Sequence, residues 1–419
     1  MIHSYLNSFT NFESRLQYIH PQSFDIKRVQ HLFHALGNPQ KNLKFIHVAG
    51  TKGKGSTCAF IAYILRAAGY RVGLYTSPHL YRINERIRIL DLSSDIKKDF
   101  CGSISDGELA GLVKSFRPQI DQLGELTYFE VLTGLALCHF ARQKTDIVIL
   151  ETGLGGRLDA TNVVNAVIDV ITPISFDHRQ QLGRTLEKIA FEKAAIIKDL
   201  KSKVVIGPQP RRAMTVIQKR CRAFDIKPVI VHHHLKSVRP PLAGAHQLSN
   251  AAIAVAVVEL LSASGFKISK NAIACGIRQT RWPGRFEFIG KSPAVIIDCA
   301  HNPASAQALL ETFRQKFPGK KCLLILGVSE DKDIPGICNV LNKMAHTVIV
   351  TQSKHPRAYH FKKSDLKKLF QNQTILDAAD TRQALGLARR YAGKNDVIVA
   401  AGSVFIAAEV RALFQNVSA

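Results

Sequence analysis

The chain has 419 residues, 46% of them apolar, and a formal net charge of +25 at neutral pH. That length predicts two domains with ordinary apolar cores, and no segment approaches the roughly 18 unbroken apolar residues of a membrane span. The polar start MIHSYLNSFTNFESRL has no apolar h-region, and the eight cysteines are scattered without a CxxC pair, so a cytoplasmic chain with reduced thiols is expected.

In chain order, KFIHVA, RVGLYT, DIVILE and VIDVITPI read as buried strands, because they are short, β-branched and flanked by turn residues. Between and after them, STCAFIAYILRAAG, TYFEVLTGLALCHFAR and TLEKIAFEKAAIIK read as helices. Such alternation predicts an α/β protein with a mainly parallel sheet. The rhythm restarts after RWPGRFEFIGKSP, where AVIIDCA, KCLLILG, HTVIVTQ and DVIVAAG are further strands. The Trp-Pro-Gly stretch reads as a linker, which places a boundary near Lys291: residues 1–290 form one domain and 291–419 a smaller second one.

The basic charge admits two readings, a nucleic-acid binder or a solvated surface that also attracts small polyanions. Lysines and arginines are dispersed, and the densest clusters, LKSK and KKSDLKK, lack interleaved aromatics. No nucleic-acid partner is therefore expected, and no membrane.

The first chemical signal is HVAGTKGKGSTCAF, His47 to Phe60. A buried strand runs into a Gly-rich turn and then a helix expected to start near Ser56. Backbone N–H groups at such a turn, with the positive end of the helix, suit phosphate oxygens, and glycine removes the Cβ atoms that would block their approach. Lys54 would neutralise charge, with Ser56 or Thr57 assisting. The strict GxxxxGK[ST] pattern is not met, since Val48 occupies the first glycine position and Gly55 separates Lys54 from Ser56. A flexible turn without ligand is the alternative.

The variant GTKGKGS resembles the phosphate loop of the Mur ligase superfamily, and within it the folylpolyglutamate synthase and dihydrofolate synthase family. LGNPQKNLKFIHVAGTKGKGS, YTSPHL, NERI, ETGLGGRLDATN, DHRQQLG, EKAAIIK, HQLSNAAIA, PGRFE, DCAHNP and GSVFIAAE occur in the family's order. Within that family, the resemblance is to the bifunctional bacterial form. The resemblance implies a Mur-ligase-like fold: a P-loop ATPase domain with a parallel-rich sheet and a smaller, Rossmann-like C-terminal α/β domain. It implies ATP binding by Gly50, Thr51, Lys52, Gly53, Lys54, Gly55, Ser56, Asn250, Arg285 and Asp298. It implies Mg²⁺ on Ser77, Glu151 and His178, an imidazole being an unusual partner for an ion that prefers oxygen. Lys193 would be carbamylated. Lys54, His178, Lys193 and His301 would be the catalytic set, His301 near the incoming glutamate.

Thr127, Tyr128, Phe129 and Glu130 form TYFE, whose Thr and Glu make a capping box that suffices as a structural explanation. The resemblance adds a dihydropteroate contact there, and another at Leu158, Asp159 and Ala160. The implied partners are ATP, L-glutamate, dihydropteroate and reduced folates, with the chain acting as a monomer. Two departures stand out: Ala195 where glycine is commoner, and Cys299 beside Asp298 where the family usually has glycine. The triplet His232–His234 matches no family site and reads as a surface turn. The rival readings are a monofunctional folylpolyglutamate synthase, a cell-wall Mur ligase, and a basic nucleic-acid-dependent P-loop ATPase.

Overall fold

The computed structural model describes residues 2–14, 25–232 and 238–415. Its contacts divide the chain into two compact units, the first running to Trp282 and the second starting at Pro283, with Leu242–Ala245 joining the second. The first unit carries seven strands: β1 (Phe45–Ala49), β2 (Val72–Tyr75), β3 (Ile87–Leu90), β4 (Ile147–Glu151), β5 (Ile168–Ile171), β6 (Lys203–Ile206) and β7 (Val229–Ile230). Their order is β3-β2-β4-β1-β5-β6-β7, and only β3 runs antiparallel to its neighbour. The central strands β1 and β4 are buried at every residue, as a sheet covered on both faces requires.

The second unit carries β8 (Glu287–Lys291), β9 (Ala294–Ile297), β10 (Cys322–Leu326), β11 (Ala345–Val350), β12 (Thr374–Asp377) and β13 (Val397–Ala401). They lie in the order β12-β11-β10-β13-β9-β8, with only β8 antiparallel. Because β8 pairs with β9, the residues from Pro283 onward join the second unit, ahead of the Lys291 boundary.

The helix Lys54–Ala67 is buried along nearly its whole length, and the helix Lys270–Gln279 packs against it. The fit needs Gly276: a Cβ there would fall 2.4 Å from Ile64 Cα. Among the described residues one helix, Ala245–Ser262, is long and apolar enough to cross a membrane by length and composition. It is interrupted by polar residues, and Gln247 and Asn250 are buried along with its apolar positions. Seven of the eight cysteines are buried, Cys275 being half-buried. In the histidine triplet, His232 is exposed, and His233 and His234 lie outside the described residues.

Candidate active site

The helix after β1 starts at Lys54, with Gly53 in the left-handed region (φ 80°) as its cap and no side-chain capping bond. Its first-turn N–H groups therefore have no capping side chain, the arrangement that receives anions. The loop before it is held from behind. The Thr51 and Lys52 amides both donate to Pro173 O at 3.1 Å, and the Thr51 hydroxyl donates to Ser175 O at 3.1 Å. Those two amides are thus committed to the chain after β5, and the donors that remain for phosphate are those from Gly53 onward. A Cβ on Gly50 would fall 1.9 Å from Thr172 Oγ1, and one on Gly53 would fall 2.3 Å from Asn250 Oδ1. Both glycines are needed for close packing, and Asn250, bonded through Nδ2 to Gln247 Oε1 at 3.0 Å, sits against the loop.

Ser77 and Glu151 follow β2 and close β4, two neighbouring strands. The Ser77 amide donates to Glu151 Oε2 at 3.2 Å, and Lys54 Nζ lies 3.9 Å from Glu151 Oε1. Glu151 is buried, so this carboxylate depends on such partners. His178 sits in the left-handed region at the start of the short helix Arg179–Leu182, its Nε2 3.8 Å from Asp177 Oδ1. Asp177 has a second role: it is one of the acidic groups that act on Lys193. Lys193 is 4% exposed. Burial first, and the Lys54 charge second, bring its pKa from 10.5 down to about 7, against the pull of Asp177, Asp159 and Glu192. Lys54, Glu151, Ser77, Asp177 and Lys193 thus form one electrostatic neighbourhood. Among the described residues no group of three or more His, Cys, Asp or Glu could hold a metal by itself. Mg²⁺ does not need one, since it is commonly held by one or two carboxylates with phosphate oxygens and water. Glu151 and Ser77 fit that role.

The segment from Gly153 to Ala160 is locked to the Lys193 helix. A Cβ on Gly156 would fall 2.8 Å from Glu192 O and 3.0 Å from Lys193 O. The Arg157 amide donates to Glu192 O at 2.9 Å, and its Nε to the Glu192 carboxylate at 3.0 Å. The Asp159 carboxylate faces inward. It accepts from Leu154 N at 2.7 Å, Thr161 N at 3.0 Å and Thr161 Oγ1 at 2.6 Å. Its side chain is therefore spent on holding the loop.

TYFE caps the helix Tyr128–Arg142 as its sequence predicts. Glu130 N donates to Thr127 Oγ1 at 3.2 Å, and Thr127 N to Glu130 Oε2 at 2.7 Å. Arg28 adds a bidentate bond to the same carboxylate, with its Nη2 at 2.6 Å from Oε1. Phe129 is half-buried and pressed on Gly153, where a Cβ would fall 2.6 Å from the ring, and it lies 5.9 Å from the Tyr75 ring.

The second unit holds the remaining expected residues. The Asp298 carboxylate, after β9, accepts from Phe286 N and Ala300 N, both at 2.8 Å. Burial raises its pKa, and Arg285 is the first group to oppose the rise. His301 Nδ1 lies 2.9 Å from Cys299 O, so that nitrogen carries the proton. Cys299 is accommodated as a neutral thiol, its pKa pushed to about 12 by burial.

Two groups were not singled out from the sequence. Asp177 is signalled only by standing next to His178. Arg86, in the NERI stretch, is 1% exposed, pairs with Glu13 and donates Nε to His79 Nδ1 at 2.8 Å. Its guanidinium lies 5.7 Å from the Tyr128 ring. A charged residue at the start of a strand was the available signal.

Comparison with known proteins bears on this arrangement. Residues 48–232 match the Mur ligase middle domain and 284–404 the Mur ligase glutamate ligase domain. The chain is 32% identical to the dihydrofolate synthase/folylpolyglutamate synthase of Bacillus subtilis, over 96% of this chain and 99% of that one. The chain belongs to the dihydrofolate synthase/folylpolyglutamate synthase family of Mur ligases. This ligase is also 37% identical to the Escherichia coli relative of that name, over 77% and 76% of the two chains. Among solved structures, the Mycobacterium tuberculosis folylpolyglutamate synthase complexed with ADP superposes with a TM-score of 0.88 at 31% identity, covering 99% and 97%. E. coli FolC in complex with DHPP and ADP gives 0.84 at 30%, covering 100% and 98%. Family and fold make the protein an ATP-dependent ligase with parallel-rich sheets in two domains.

Proposed function

We propose that the enzyme joins L-glutamate to dihydropteroate and to reduced folates, each through an acyl phosphate. A carboxylate oxygen of the folate attacks the γ-phosphorus of ATP and ADP leaves. The glutamate amine then attacks the acyl carbon, loses a proton and expels phosphate as the amide forms. The observation that carries this reading is the uncapped helix start at Gly53, with Lys54 beside Glu151. There the free amides and the lysine stabilise charge on the transferring phosphoryl group. Glu151 and Ser77 would hold Mg²⁺, which supplies further charge neutralisation on the phosphates; His178 is the third proposed ligand. ATP further engages Asn250, Arg285 and Asp298, and glutamate engages His301.

Because the carboxylates of Asp159 and Glu130 already hold their own loops, the proposed pterin contacts at Leu158–Ala160 and Thr127–Glu130 run through backbone groups and the rings of Tyr128 and Phe129. Lys193, with a pKa near 7, offers a neutral amine that adds to carbon dioxide and releases a proton, giving a carbamate. ¹³C NMR with labelled bicarbonate tests this: a carbamate signal lost in Lys193→Arg is expected. The enzyme works in the cytoplasm as a monomer, and light scattering checks the oligomeric state.

Phosphate release measured in parallel with dihydropteroate, tetrahydrofolate, UDP-muramoyl substrates and DNA tests the function. Turnover with the first two, dependent on L-glutamate, is expected. Turnover with tetrahydrofolate alone would favour the monofunctional reading, which the 31% identical Lacticaseibacillus casei relative named folylpolyglutamate synthase keeps in view.

A further inference from the structure

The molecule has one tryptophan, Trp282, the last residue of the first unit. Its indole lies on Gly55, the second residue of the helix that opens at the phosphate loop. A Cβ added to Gly55 would come within 3.0 Å of the indole Cζ2 and 3.1 Å of Nε1. The ring is also engaged by Arg88, a fully buried residue of β3. The Arg88 guanidinium carbon is 6.0 Å from the Trp282 ring and 6.0 Å from the Phe100 ring. Its Nε donates to Cys101 O at 2.9 Å and its Nη2 to Cys101 Sγ at 3.4 Å, while Nη1 has no hydrogen-bond partner. A buried cation with an unused N–H favours electron-rich ring faces, and the two aromatic rings supply them. Trp282 is thus held by Arg88 while it rests on the backbone of the phosphate-binding turn.

We propose that Trp282 is a positioning residue for the nucleotide. Through its contact with Gly55 it fixes the first turn of the Lys54–Ala67 helix in the shape that presents its amides to phosphate, and Arg88 holds the indole in place. The same contact suits the extra glycine between Lys54 and Ser56, because a Cβ there would press on the indole at 3.0–3.2 Å. The inference rests on the reading of this loop as the nucleotide site, so its test measures nucleotide binding separately.

As Trp282 is the only tryptophan, emission excited at wavelengths that the nine tyrosines do not absorb reports on this residue alone. Titration of the full-length protein with ADP, followed by calorimetry and by Trp emission in parallel, should give a spectral change with the calorimetric midpoint. Trp282→Ala should raise the KM for ATP about tenfold or more, with kcat and the KM for L-glutamate changing less than about threefold. Trp282→Phe, which keeps a ring over Gly55, should recover most of the loss. Circular dichroism checks that both variants fold. Calorimetric ADP binding without an emission change would overturn the proposal, as would a Trp282→Ala enzyme with an unaltered KM for ATP. Equal rises in every KM, unrecovered by phenylalanine, would make Trp282 a structural residue and overturn it too. If the parent binds no ADP, the nucleotide reading of the loop fails and takes this inference with it. Should Trp282→Ala not fold, the parent's emission and the Trp282→Phe kinetics still decide.

Discussion

Lys54 acts on two neighbours of opposite sign. It lies 3.9 Å from the Glu151 carboxylate and helps depress the pKa of Lys193. Lys54→Ala should abolish ligation, because the proposed phosphate site loses its lysine charge, while the helical circular dichroism signal is kept. Near-normal turnover with an unchanged KM for ATP would show that Lys54 does not serve the phosphate. Glu151→Gln keeps the acceptor for the Ser77 amide but removes the charge. Its half-saturating Mg²⁺ concentration should rise about tenfold or more; a titration curve overlaying the parent's would remove Glu151 from the metal site. Side-chain roles were legible in the sequence to different depths. Lys54 stands in a motif whose chemistry is local. The commitment of the Thr51 and Lys52 amides to Pro173, and of the Asp159 carboxylate to its own loop, depends on how distant or turning segments meet, which no spacing records.

At the scale of elements, the helix Tyr128–Arg142 and the Gly153–Ala160 loop meet at Phe129. Phe129→Ala removes the ring that rests on Gly153 and faces Tyr75, costing on the order of 1–3 kcal/mol of contact. Dihydropteroate ligation should fall by roughly tenfold or more, and glutamate addition to tetrahydrofolate by less. Equal losses would assign Phe129 to packing alone. The strands read from the sequence, β1, β2, β4, β5, β9, β10, β11 and β13, are short, mostly apolar and mostly buried runs. Of those not read, β6 is buried like the others but offers only three apolar residues after Lys203, and the rest break the pattern. β7 has two residues, β8 and β12 are half-exposed edges, and β3 carries the buried Arg88 in its middle. The helix read as reaching Lys198 stops at Ala194, where Ala195 caps it and the Gly156 loop lies against the carbonyls of Glu192 and Lys193.

For the whole molecule, one buried acid should shape the pH dependence of stability. Asp169, on β5 beside His47 of β1, receives the Ser202 hydroxyl at 2.7 Å on Oδ2, and its Oδ1 has no partner. Burial raises its pKa from 3.8 to about 7. Between these values the folded state keeps a proton that the unfolded chain has released. This group's contribution is therefore full at the acid end and lost as pH rises through about 7. Asp169→Asn should flatten that part of the curve by on the order of 1–4 kcal/mol, seen in urea melts at about pH 5 and about pH 8. An unchanged slope would place the proton elsewhere.

The burial of the thiols has a practical consequence. Seven of the eight are enclosed, in both units, and Cys275 is half-exposed on the helix that packs against the phosphate-loop helix. A thiol-reactive dye added to the native protein should modify Cys275 first. Each remaining cysteine then becomes a clock for the opening of its own surroundings. Cys58 and Cys138 time the first unit and Cys322 and Cys338 the second, so mass mapping of a labelling time course would show which half of the ligase comes apart sooner.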